Sequence, residues 1–209
     1  MSGFFITLEG IEGLGKSTNL EFIAAICQQA GHDVVVTREP GGTPAAEAIR
    51  EFILQRSHED LSDLAELMLM FAARAEHLTG LIRPALARGA TVICDRFSDA
   101  SFAYQGGGRG LPMTSIAALR DLVQDDLRPD LTILLDAPLE VSAARMAARD
   151  YQDRFEQEKL EFFGRVKQAY LDIARQEPAR VKIVDADQPL EQVQKTINQL
   201  LQQHIFNIS

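Results

Sequence analysis

An octapeptide of the form G-x-x-x-x-G-K-[ST], Gly10-Ile11-Glu12-Gly13-Leu14-Gly15-Lys16-Ser17, stands directly after the apolar run Phe4–Leu8 and directly before a helix-like stretch. That placement constrains the fold strongly, because such a loop works when a strand delivers it and a helix leaves it. The glycines let successive backbone N–H groups turn inward around phosphate oxygens, and the helix opening near Gly15 aims the positive end of its dipole at them. Gly10, Gly13, Leu14, Gly15, Lys16, Ser17 and Thr18 are therefore the candidate cradle for a nucleoside triphosphate. Lys16 would reach the β- and γ-phosphates and the Ser17 hydroxyl would ligate Mg²⁺.

The rest of the chain repeats the strand-then-helix rhythm. Phe4–Leu8, Val34–Thr37, Thr91–Asp95, Leu131–Asp136 and Val181–Asp185 are short runs apolar on both faces, as strands are in a parallel sheet covered on both sides. Helical patterns fall between them, at about 16–30, 44–55, 61–88, 112–125, 138–148, 156–176 and 189–204. The expected class is α/β: a doubly wound, five-stranded parallel sheet with helices on both faces, of the P-loop NTPase type. With 209 residues and no low-complexity linker, residues 1–209 read as a single domain. Gly31 and Gly89 stop the helices before them, and Thr43-Pro44 is an N-cap followed by Pro at the first helical position.

A formal charge of −9 argues against non-specific binding to nucleic acid or an anionic membrane, so positive potential has to be gathered locally. Neither a secretory leader nor an apolar run of bilayer length is visible, and the expected location is the cytoplasm. Cys27 and Cys94 lack metal-ligand spacing and read as small buried hydrophobes.

In an open parallel sheet, ligands sit beyond the carboxyl ends of the strands, and the notable polar residues of this chain fall there. Glu12 lies in the phosphate loop, Thr37-Arg38-Glu39-Pro40-Gly41-Gly42 follows the second strand, and Asp95-Arg96 closes the third. Arg38 and Arg96 at two strand ends suit a second anion, since a guanidinium fork matches phosphate bidentately. Asp95 is placed to hold the metal directly or through water. Asp136, before Ala137-Pro138, reads as a helix cap and stays outside the site. Phe71 and Arg74 share a face of the long helix, where a base could stack on the ring while the guanidinium donates to a base carbonyl. Around them Leu67–Ala73 is apolar all the way round, which places that helix centrally or in an interface.

The phosphate loop, the R-E-P-G-G turn at 38–42, Phe71-Ala72-Ala73-Arg74, Asp95-Arg96, Tyr104-Gln105-Gly106-Gly107-Gly108-Arg109-Gly110 and Asp153-Arg154-Phe155-Glu156 together resemble the bacterial thymidylate kinase family over nearly the whole chain. The resemblance implies transfer of the γ-phosphoryl of ATP to dTMP with Mg²⁺, in a homodimer. It also implies roles: Arg38 and Arg96 on the acceptor phosphate, Phe71 against the thymine and Arg74 on its O4. Ser101 and Gln105 would stand at the base edge, Tyr104 by the sugar 2′ position, Glu12 near the 3′-hydroxyl, and Pro40 in the turn that aims Arg38.

Some family members carry an Arg in the phosphate loop, where this chain has Glu12-Gly13-Leu14. The polar stretch at about 145–156, with Arg145, Arg149 and Arg154, resembles the lid of members that lack it, and Arg149 and Arg154 are the candidates to close over the transferring group. The acceptor is already anionic, so no general base is required. The N-K-x-D guanine reader of a GTPase switch is absent, and a non-catalytic ATP-binding module would need neither a second arginine-lined anion site nor a lid. A kinase for another nucleoside monophosphate differs by only a few base contacts.

Overall fold

The computed structural model describes residues 3–55, 61–147, 155 and 158–206. Five strands form one sheet: β1 Phe5–Glu9, β2 Val34–Arg38, β3 Thr91–Asp95, β4 Leu131–Asp136 and β5 Val181–Asp185. All pairings are parallel and the order is β2-β3-β1-β4-β5, so β1 is flanked on both edges. Every expected strand is present, with β1 shifted by one residue and β2 extended to Arg38. The expectation that each strand is apolar on both covered faces holds for β1, β3 and β4. The outer strands β2 and β5 carry half-exposed Val36 and Ile183, because an edge strand has only one neighbour to shelter it.

The helices are α1 Lys16–Gln29, α2 Pro44–Leu54, α3 Asp63–His77, α4 Arg83–Ala87, α5 Ser98–Ser101, α6 Met113–Gln124, α7 Leu139–Ala147, α8 Leu160–Gln176 and α9 Leu190–Leu201. Thr43 caps α2, its hydroxyl accepting from Ala46 N at 3.3 Å with Pro44 next in line. The long pattern at 61–88 is α3 joined to α4 through a π-helical turn, Leu78–Ile82. Pro84 cannot donate to the carbonyl four residues back, and a widened turn absorbs that loss.

One element was not expected: residues 98–108 are helical, α5 running on into a π-helical segment, Phe102–Gly108. Three glycines in a row argue against a helix by propensity, and tertiary contact overrides them. A Cβ on Gly107 would stand 2.6 Å from the Ala169 side chain, so α8 can lie directly against this segment only because glycine is there.

Side chains alternate along β1. Ile6 and Leu8 join the core cluster that includes Ile133, Leu135, Val166 and Ile197, while Phe5 joins Val92, Cys94, Leu78, Ile82 and Phe97 on the other face. Thr7 and Glu9 continue the Phe5 face as buried polar residues, Thr7 sharing a 2.7 Å hydroxyl contact with Thr132. Both cysteines are buried and free, and burial raises both thiols, Cys27 to about 11. No helix among the described residues is long and apolar enough to cross a membrane.

Candidate active site

The carboxyl ends of β1, β2 and β3 bring Glu9-Gly10, Arg38-Glu39 and Asp95-Arg96 side by side. From β1 the chain turns at Gly10 with φ 132°, where a Cβ would meet the Leu135 carbonyl oxygen at 2.4 Å. Gly13 and Gly15 also take positive φ, and Lys16 opens α1. The Lys16 ammonium donates to the carbonyls of Gly10 at 3.0 Å and Ile11 at 2.9 Å. Burial first, then the Arg96 charge, lowers its pKa to about 8. Ser17 and Thr18 are exposed to solvent at the helix opening.

Arg96 adopts φ 67°, a left-handed conformation unusual for a side chain of its size. Its side chain is held from several directions: Nη1 donates to Gly10 O at 2.9 Å and to the Tyr170 hydroxyl at 3.2 Å, and Nη2 meets Glu12 Oε1 at 2.7 Å. The guanidinium also lies 4.8 Å from the centre of the Tyr104 ring, and the Tyr104 hydroxyl donates to the Glu12 carboxylate at 2.7 Å. Burial keeps the Tyr104 and Tyr170 phenols well above their ordinary range, so both are protonated donors.

Next to this cluster opens a cavity walled by Glu12 and Arg96 at one end and by Arg74, Ser101 and Gln105 elsewhere, with Pro40 and Tyr104 also on its lining. Arg74 is buried and largely committed: Nε donates to Glu39 Oε2 at 2.7 Å, and Nη2 donates to Phe97 O at 3.1 Å and Ser101 Oγ at 3.0 Å. Its Nη1 is buried with no partner among the described residues. The Glu39-Pro40 peptide, whose isomer the sequence left open, is cis, and the turn puts Pro40 on the cavity wall.

Several of the expected residues meet protein partners in this structure. Phe71 packs with Leu67 and Ile116, and Arg74 lies 4.6 Å over its ring. Met70, one helical step away and four residues before Arg74, is on the cavity wall. Arg38 does not turn toward the phosphate loop beside Arg96; it is 54% exposed and pairs with Glu47 at 3.0 Å. Asp136 takes Lys167 as its partner at 2.9 Å rather than acting only at a helix start. Arg145 donates to the Ala186 carbonyl at 3.2 Å, while Arg149 and Arg154 lie outside the described residues. Phe155, from the same motif, is described, and it lines the cavity edge-on to Tyr104.

The family model described as thymidylate kinase matches residues 8–197. The chain belongs to the thymidylate kinase family. It is 61% identical to a thymidylate kinase from Pseudomonas entomophila and 58% identical to one from Ectopseudomonas mendocina, in each case over 201 residues and 96% of both chains. The crystal structure of thymidylate kinase from Ehrlichia chaffeensis superimposes with a TM-score of 0.79 at 32% identity, covering 97% of this chain and all of that one.

A family member of this kind needs a place for a divalent ion beside the phosphates. Asp95 Oδ1 is buried without a hydrogen-bond partner among the described residues, which fits a carboxylate able to take a cation. Among the described residues no group of three or more His, Cys, Asp or Glu could hold a metal.

Sequence reasoning overlooked the buried polar layer beneath the site. Glu9 accepts from Phe97 N at 2.7 Å and from the Tyr170 hydroxyl at 2.7 Å, tying β1, the turn after β3 and α8 together behind Arg96. Thr37, His77, Glu39 and Arg74 form a second buried chain. Arg50 and Leu54 of α2 also reach the cavity. The one available signal was Glu9, a carboxylate appended to an apolar run.

Burial, reinforced by Asp99, raises the Glu9 pKa to about 8 from an ordinary 4.5. A carboxyl raised on folding favours the folded state below 4.5, and that contribution is lost as pH climbs toward 8. Glu9→Gln is therefore expected to gain stability relative to the parent between those limits, by more than about 1.4 kcal/mol, the worth of one unit. Urea denaturation of both proteins at pH 5 and pH 8.5 measures it; parallel pH dependences would show that Glu9 is not strained.

Proposed function

We infer that this protein transfers the γ-phosphoryl group of ATP to the 5′-phosphate of dTMP, giving ADP and dTDP. The observation that carries this is the continuity of the two sites: Arg96 and Glu12 belong both to the surroundings of the phosphate loop and to the wall of a cavity that offers an unpaired Arg74 N–H. A phosphorylated pyrimidine nucleoside laid in that cavity has its phosphate at the Arg96 end and its base toward Arg74 and Gln105. Met70, Phe97 and Phe155 supply apolar walls, and Tyr104 with Glu12 closes the sugar end.

On the donor side, Gly10, Gly13, Leu14, Gly15 and Thr18 surround the phosphates, and Lys16 exchanges its two carbonyl partners for them. Ser17 and Asp95 would hold Mg²⁺, which neutralises charge between the phosphates. Arg38 is one residue from the cavity's Glu39 and would leave Glu47 for the acceptor phosphate. Arg149 and Arg154 remain the lid candidates on sequence grounds. Catalysis then rests on positioning and charge neutralisation in a closed site.

The enzyme is proposed to act in the cytoplasm as a homodimer. Leu64 and Met68, one turn apart on α3, are 59% and 51% exposed, and Leu122 of α6 is 78% exposed, so both helices offer apolar side chains at the surface. A light-scattering mass of a single chain at micromolar concentration would remove the dimer from this reading.

The deciding assay follows ADP release from ATP and Mg²⁺ with thymidine, deoxyuridine, deoxycytidine, adenosine and guanosine monophosphates, using Lys16→Ala as the blank. A clear preference for dTMP is expected. Hydrolysis that ignores the acceptor, or preference for a purine, would overturn the assignment of the cavity.

A further inference from the structure

Glu66 has no exposed surface, yet it lies on the same stripe of α3 as the cavity residues, since Glu66, Met70 and Arg74 recur every four residues. Its Oε1 accepts from the Gln105 side-chain nitrogen at 2.9 Å. Arg109, reaching in from beyond the glycine run, donates Nη2 to Glu66 Oε2 at 3.3 Å and Nε toward Oε1 at 3.4 Å, and it also pairs with Asp63 and Glu158. Gln105 is buried on the cavity lining, and its carbonyl oxygen has no protein hydrogen bond among the described residues.

An amide side chain can point either end at a cavity, and only its partners decide which. A carboxylate facing an arginine offers acceptors alone, so it must take the nitrogen end of Gln105 and leave the oxygen for whatever fills the cavity. Across the same cavity the Nη1 amino group of Arg74 has no partner among the described residues. The pair of free groups is therefore one donor and one acceptor. Thymine and uracil present the matching edge, a 4-carbonyl that accepts and an N3–H that donates. Cytosine presents a 4-amino donor and an unprotonated N3, which would set donor against donor and acceptor against acceptor.

We propose that Glu66, held by Arg109, is a specificity-setting positioning residue that fixes the Gln105 amide and so selects 4-oxo over 4-amino pyrimidine nucleotides. This rests on the reading of the cavity as a pyrimidine nucleotide site. Glu66 need not touch the substrate; it acts through Gln105.

The test compares kcat/KM for dTMP and dCMP in the parent, in Glu66→Gln, and in the exchanged pair Glu66→Gln with Gln105→Glu. Glutamine at 66 can donate as well as accept, so it releases Gln105 to rotate, and the dTMP over dCMP ratio is expected to fall at least about tenfold, chiefly through a raised KM for dTMP. The exchanged pair restores an acceptor-only group facing the cavity and keeps the net charge around Arg109, so most of the ratio should return. A folded Glu66→Gln protein with the parent ratio overturns the proposal. If that single variant does not fold, the exchanged pair decides alone: a parent-like ratio supports the proposal and a collapsed ratio refutes it. A parent enzyme that fails to prefer dTMP would instead refute the cavity assignment on which the proposal stands.

Discussion

Lys16→Ala is expected to lower kcat for phosphoryl transfer by about 10²–10³, the usual effect of deleting one preorganised donor aimed at developing charge. The geometry explains why so much depends on one side chain. Lys16 is half-buried where burial and Arg96 together hold its pKa near 8, and its hydrogen-bond partners among the described residues are two loop carbonyls. A triphosphate supplies the counter-charge that this ammonium lacks, and no other described cation stands inside the loop to replace it. Saturating steady-state measurements of ADP release check this, and a loss of less than tenfold would remove Lys16 from the reaction.

Arg74→Ala should destabilise the fold by about 3–5 kcal/mol, because it strips the partner from a buried carboxylate. The Arg74–Glu39 pair is 3% and 4% exposed at 2.7 Å, and the same guanidinium satisfies the Phe97 carbonyl and the Ser101 hydroxyl. Removing it leaves Glu39 with only His77 and opens the cavity floor. For a chain of this size the melting temperature would drop by roughly 10 °C. Arg74→Ala/Glu39→Ala should recover part of the loss, since the stranded charge goes too. A single variant that melts within about 2 °C of the parent would contradict the description of this pair as a buried, mutually dependent unit.

The two variants also mark how far the sequence could be read. The phosphate loop, the five strands and most helix limits were legible because each is local: a motif, an apolar run or a cap leaves its trace within a few residues. Arg96 and Asp95 were legible as strand-end residues. Glu66 and Tyr170 were not, since their roles exist only once α3 and α8 are folded against a segment distant in the chain. The contact of Phe71 with Ile116 was hidden too, because on a helix a single step turns a side chain about 100° and only the packing of distant segments decides what each position meets. The helix at 98–108 was hidden for a related reason, its glycines being chosen for contact with α8 rather than for helix formation.

The central place of β1 bears on how the protein is made. Phe5 pairs with Val92 and Ile6 with Leu131, so the first strand synthesised is among the last to acquire both neighbours. A nascent chain that has emerged only as far as β3 carries the whole phosphate-loop motif but lacks the strand on which its other edge rests. Pairings this distant are slow to form, and an incomplete sheet exposes a free edge. Competence to bind nucleotide is thus expected only once β4 has emerged, and a chain cut before Leu131 is expected to carry the motif without the site.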